Sequence, residues 1–183
     1  VAQLSTEKKH SLREQAISLA ALALIAAAVF GLDQWSKAFV KASLAEGEWW
    51  APIPEAWRLF RFTHTTNTGA AFGIFPNRGG FFVVIAIVVA VAIVLYYRAL
   101  PSGSWLVRIA LGFQLGGAIG NLADRLRLGY VTDFVDIGFW PVFNVADSSI
   151  VIGVALIAYS LWREDYRGEP AAEPSSSDVE VGQ

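Results

Sequence analysis

The chain has 183 residues, 55% of them hydrophobic and only 16% charged, with a formal net charge of −2 and mean hydropathy +0.47. The apolar residues are bunched in runs rather than spread at helical or strand spacing. That excludes an ordinary soluble domain and indicates an integral membrane protein. With no cysteine, disulfides, thiolate catalysis and zinc–thiolate sites are excluded too.

Residues 1–15 form a polar N-terminus carrying Lys8, Lys9 and Arg13, expected on the cytoplasmic side. The run Ala16–Leu32 predicts a first span over about 16–33. A basic start before an apolar run also fits a cleaved secretory leader. Here the pattern continues amphipathically through Asp33-Gln34-Trp35-Ser36-Lys37 with no turn, so a retained helix is expected.

Residues 41–80 read as an extracytoplasmic sheet and loop region. Trp49, Trp50 and Trp57 suit a membrane interface. Arg58–Thr65 alternates like a strand, and Asn67-Thr68-Gly69 is turn chemistry. His64 reads as a sheet residue rather than a metal ligand, since His10 is no partner for it. Three more spans follow, over about 81–97, 106–123 and 145–162. Gly112, Gly116 and Gly120 share one face of the third, where small residues let helices approach closely. Residues 166–183 read as a disordered cytoplasmic tail.

The fold class is thus all-α integral membrane: four transmembrane helices with a small extracytoplasmic β-sheet/loop subdomain, the membrane domain covering 16–165. Lysine and arginine divide evenly between the two sides. The positive-inside rule therefore ties, and only site pairing of Lys37 and Arg125 tips both termini toward the cytoplasm.

An even alternation of spans brings polar residues far apart in sequence to one membrane face: Asp33, Lys37, Asn67, Asn121, Asp124, Arg125, Asp133, Asn144 and Asp147. The opposite face shows no comparable group. Singly, each has a structural explanation. Asp33/Lys37 and Asn121/Arg125 are i,i+4 pairs, and Asn144 with Asp147 resembles a capping box. Gathered at a membrane edge, where charge is costly, they mark a site.

Two adjacent carboxylates there cannot both ionise cheaply and share a proton. One can deprotonate water while the other protonates a carbonyl or leaving amine, which is aspartyl peptide hydrolysis without metal or cofactor. Ser148 and Ser149 have no activating histidine or lysine nearby, and Asp136 is expected to face solvent.

Asp33-Gln34-x-x-Lys37, Asn67-Thr68-Gly69-Ala70-Ala71-Phe72, Gly120-Asn121-x-x-Asp124-Arg125, Val131-Thr132-Asp133-Phe134 and Phe143-Asn144-Val145-Ala146-Asp147 resemble, in order, the motifs of lipoprotein signal peptidase (signal peptidase II). The resemblance covers about residues 15–165. It implies a bacterial inner-membrane, multi-pass aspartyl endopeptidase with its site on the extracytoplasmic side and sensitivity to globomycin. The implied partners are membrane lipid and diacylglyceryl-prolipoproteins, cut before the lipidated lipobox cysteine. No nucleic acid is implied, and a monomer is expected.

Carried onto this chain, the catalytic aspartates fall on Asp133 and Asp147. Asn67, Asn121, Arg125 and Asn144 line the site, and Asp33 and Lys37 support it. Asp124 is the rival for the first catalytic role; the adjacent Arg125 is expected to hold it ionised and structural. The segment Trp49–Phe75 is long enough to form a lid. A proton- or ion-coupled transporter using the same carboxylates is the alternative, although no repeat or mid-membrane polar pair supports it. A catalytically dead lipopeptide-binding protein would lack one of the two aspartates.

Overall fold

The computed structural model describes residues 2–69, 79–100 and 104–168. The Ala70-Ala71-Phe72 part of the second motif, the end of the expected lid and tail residues 169–183 lie outside them. Helix α1 runs Ala2–Ser43, α2 Gly79–Ala99, α3 Trp105–Leu128 and α4 Val145–Gly168. Each holds a segment long and apolar enough to cross a membrane: Gln15–Ser43, Gly80–Ala99, Trp105–Leu128 and Val145–Arg163. α1 is unbroken through Asp33–Lys37 and ends ten residues beyond the expected span, because those polar side chains are satisfied inside the bundle.

α3 is the centre of the bundle and packs on each of the other three helices. Its glycines explain how closely. A Cβ on Gly112 would stand 2.7 Å from Ile25 Cγ2, and one on Gly116 2.6 Å from Val29 Cβ and 2.7 Å from the Ala26 carbonyl oxygen. α1 therefore lies against the bare backbone of α3, as the four-residue glycine spacing predicts. Gly129 ends α3 in the left-handed region, φ 83°, with its N–H on Arg125 O at 3.1 Å. A residue with a Cβ reaches that conformation only with strain.

A three-stranded antiparallel sheet, in the order β1-β2-β3, sits beside the end of the bundle where α1 and α3 finish and α4 begins. β1 is Trp49–Trp50, β2 Arg61–Asn67 and β3 Val131–Asp136. β2 starts three residues later than the alternation suggested, since Trp57–Leu59 form a turn after the short 3-10 segment Pro54–Ala56. The approach to Asp133 is β3, pairing Asp133 with Thr65 and Val131 with Asn67. His64 is a strand residue whose Nδ1 lies 3.0 Å from Leu44 O, tying β2 to the end of α1.

The opposite end of the bundle is not bare, contrary to expectation. Tyr97 OH donates to Ser18 O at 2.6 Å, and the Arg108 guanidinium covers the Tyr97 ring at 4.8 Å while donating to Leu100 O at 2.9 Å and to Ser18 Oγ. This knot joins α1, α2 and α3.

If α1 needs the bare face of α3, Gly116→Val should lower stability by about 1–3 kcal/mol or more, the cost of overpacking. Gly31→Ala, where an added Cβ meets nothing within 4 Å, should leave stability unchanged or raise it. Thermal unfolding in detergent compares the two. Equal midpoints would refute the packing argument.

Candidate active site

The polar residues gather around Lys37, which is 1% exposed. Its ammonium has three donors and no acceptor. It lies 2.9 Å from Asp33 Oδ2 and 3.0 Å from Asp124 Oδ2, and donates to Asn121 Oδ1 at 2.9 Å. The other carboxylate oxygens are used as well. Asp33 Oδ1 accepts the Ala146 N–H at 3.0 Å, and Asp124 Oδ1 accepts Gln34 Nε2 at 2.9 Å. Thr132 N lies 3.3 Å from Asp124 Oδ2. One ion cluster thus joins α1, α3, β3 and the first turn of α4.

A second layer rests on the first. Asn121 Oδ1 is taken by Lys37, so its Nδ2 must turn outward, where it donates to Asp147 Oδ1 at 2.8 Å. Asn144 caps α4: its Oδ1 accepts Asp147 N at 3.0 Å, and its own N–H reaches Asp147 Oδ2 at 3.2 Å. This is the reciprocal pairing of a capping box. Asn144 Nδ2 also donates to Asp133 Oδ1 at 2.6 Å, while Asn67 Nδ2 donates to Asp133 Oδ2 at 2.9 Å. Asp133 is buried and Asp147 half-buried, and both are bonded to Asn144. Among the described residues, their hydrogen bonds come only from amide and backbone N–H groups.

Burial pushes the Asp133 carboxyl up to about 6, and the nearby Asp147 charge adds to the rise; the Asn67 and Asn144 hydrogen bonds oppose it. Arg125 takes a different direction. Its guanidinium stands 5.4 Å over the Phe82 ring and makes long bonds to Asn121 O (3.3 Å) and Gly69 O (3.4 Å). Its Nε is buried with no partner among the described residues.

All nine candidate residues meet at this end of the molecule, Asp33 and Lys37 buried rather than paired on a helix surface, but two expectations need correction. Asp124 is held by Lys37 and Gln34 rather than by its neighbour Arg125, because adjacent helical residues point in different directions. Asp136 does not face solvent: it is 7% exposed, and one oxygen accepts Arg61 Nε at 2.7 Å. The role of Gln34 was not read from the sequence, although its place between Asp33 and Lys37 on a spanning helix was a signal. Phe82 under Arg125 left no signal at all, being one apolar residue in an apolar run.

Four unbroken helices long enough to span a membrane, with a small sheet beside an end rich in buried carboxylates, define a multi-pass membrane protein with a polar site at one end. Residues 25–163 match the family described as signal peptidase (SPase) II. The lipoprotein signal peptidase of Moorella thermoacetica is 42% identical over 151 residues, covering 82% of this chain and 97% of that protein. That of Pseudomonas aeruginosa PAO1 is 41% identical over 152 residues, covering 78% and 88%. A bacterial membrane enzyme structure solved by the in meso method at 2.3 Å superposes with TM-score 0.75 at 30% identity, covering 85% of this chain and 95% of that one. The chain belongs to the signal peptidase II family and is a multi-pass membrane peptidase.

Between about pH 4 and 6 the folded chain keeps a proton on Asp133 that the unfolded chain has lost, so stability should fall as pH rises through that window. The full difference is about 3 kcal/mol against the folded state above it. The unfolding midpoint of wild type relative to Asp133→Asn should therefore decline from pH 4 to pH 7 and then level off. A difference that does not vary with pH would contradict the elevated value.

Proposed function

We propose that this peptidase is an aspartic endopeptidase that removes the signal peptide from diacylglyceryl-modified prolipoproteins, cutting before the lipidated lipobox cysteine. The observation that carries the proposal is the contrast between two pairs of carboxylates. Asp33 and Asp124 are locked on an ammonium, whereas Asp133 and Asp147 share Asn144 and meet only neutral N–H donors. The first pair is matched to a cation. The second is left to amide and backbone donors.

In the mechanism, Asp133 holds the shared proton, consistent with its raised value, and Asp147 is the ionised base. Asp147 takes a proton from water as its oxygen attacks the scissile carbonyl carbon, and Asp133 protonates the carbonyl oxygen. The resulting diol collapses when Asp147 delivers its proton to the leaving cysteine nitrogen. The C–N bond breaks, and Asp133 recovers a proton from the diol. Asn121 and Asn144 keep both carboxylates in place. Asn67 orients Asp133, and Arg125, with its spare Nε–H, hydrogen-bonds a substrate carbonyl.

On this reading residues 16–165 are the peptidase domain of a monomer in the bacterial inner membrane. The sheet and site are extracytoplasmic, membrane lipid is the surrounding partner, and globomycin inhibits. The lid role of Trp49–Phe75 stays with this proposal. The transporter alternative is not favoured: the four helices are unbroken, and the carboxylates gather at one end.

Purified protein in detergent should cleave a diacylglyceryl-cysteine lipobox peptide and leave its unlipidated counterpart largely intact. Asp133→Asn and Asp147→Asn should each lower turnover by at least about 10³-fold with near-normal folded yield, since acid–base catalysis contributes roughly 10²–10⁴. Asp124→Asn should instead lose folded yield. Substantial activity in either dyad variant, or well-folded but inactive Asp124→Asn, would reassign the chemistry.

A further inference from the structure

Gln114 is a carboxamide inside a membrane span that the site described so far does not use. It is the tenth residue of α3, about 14 Å from the Trp105 end of the helix. Its side chain is half-buried, and it has no side-chain hydrogen bond among the described residues. Gly153 of α4 makes room for it: a Cβ there would stand 2.5 Å from Gln114 Cγ and 3.2 Å from Nε2. An amide left without a partner in hydrocarbon is costly, so one retained there calls for an occupant.

The position of Gln114 indicates which occupant. On a helix of about 3.6 residues per turn, Gln114 lies within roughly 20° of both Asn121 and Arg125 and about 10 Å below Asn121. The Phe82 ring of α2 flanks this face at Arg125, and Gly153 of α4 flanks it at Gln114. One face of α3, between α2 and α4, thus leads from the two carboxylates down into the membrane. On the proposed function, a substrate cut at Asp133 and Asp147 would lay its amino-side segment along this face. Where that segment leaves helical geometry to enter the site, its backbone N–H and C=O groups have no water to bond.

We infer that Gln114 is a specificity-determining residue, whose carboxamide hydrogen-bonds the backbone of the substrate's signal segment about three to seven residues before the cut. The range spans an extended chain at about 3.3 Å per residue and a helical one at about 1.5 Å. This inference rests on the peptidase function proposed for Asp133 and Asp147.

The test compares two lipidated substrates, one with a complete signal segment and one beginning two residues before the cut. Gln114→Leu, and Gln114→Met as a second variant should the first not fold, should lower kcat/KM on the long substrate by about three- to twentyfold, the range of single hydrogen bonds between membrane helices. The short substrate should be cut as by wild type, which also shows that the variant is folded. Replacing one backbone amide of the long substrate by an ester, at a position three to seven before the cut, should slow wild type and not the variant.

Equal loss on both substrates, or none on the long one, overturns this inference alone. So does a detergent-solubilised dimer of wild type that Gln114→Leu makes monomeric with no change in length preference, since the amide then serves a second copy. A wild-type protein that cuts neither substrate overturns the peptidase function and this inference together.

Discussion

The ammonium of Lys37 is the interaction on which the rest of the site depends. Its three donors meet two carboxylate oxygens and one amide oxygen at 2.9–3.0 Å. Nothing in the first layer can be removed alone. Taking away Lys37 would leave two buried anions facing each other, and losing one partner of such a pair costs about 3–5 kcal/mol. The cluster also requires Gly120: a Cβ there would stand 2.5 Å from Asp33 Oδ2. The glycine stripe of α3 and the ion cluster are therefore one device. Close approach of α1 and α3 brings Lys37 within reach of Asp124, and the ion pairs hold the helices together where apolar packing alone would not select a register.

The same ammonium acts on the second layer by geometry rather than contact. A donor-only cation on Asn121 Oδ1 fixes the amide with its nitrogen toward Asp147. Asn144 Nδ2, bonded to both Asn121 Oδ1 and Asp133 Oδ1, is oriented in the same way. Two amides thus transmit the placement of one charge to two carboxylates without giving either a counterion of its own. A cation on Asp133 would hold its carboxyl ionised. Amide donors position it and only partly offset the burial that raises it to about 6.

Most of this was legible in the sequence, and the parts that were not share a cause. Four helices followed from unbroken apolar runs, and the convergence of Asp33, Asn121, Asp133 and Asp147 followed from counting spans. Period and polarity carry that information. Partnership is decided in three dimensions, so Asp124 was matched with its sequence neighbour Arg125 instead of Lys37 on another helix. Asp136 was sent to solvent for the same reason: its partner Arg61 lies on β2, and only the β2–β3 register brings them together. The strand β3 gives a weak signal because it is short and Asp133 and Asp136 interrupt its apolar pattern, although Val131, Thr132, Phe134 and Val135 are strand formers.

Asn144 and Asp147 show why the structural and functional explanations of a motif need not compete. The capping box is present, and it consumes Asp147 Oδ2 and the Asp147 N–H. Oδ1 is left to Asn121, so the carboxylate is anchored at both oxygens before any substrate arrives. The first turn of a helix is a favourable place for a negative charge, because the unpaired N–H groups there point toward it. A carboxylate at a helix N-terminus thus stands opposite a second one on a strand, and the two differ in surroundings although Asn144 touches both. Asp147 is fixed by the cap and by Asn121, and Asp133 by the amides of Asn67 and Asn144.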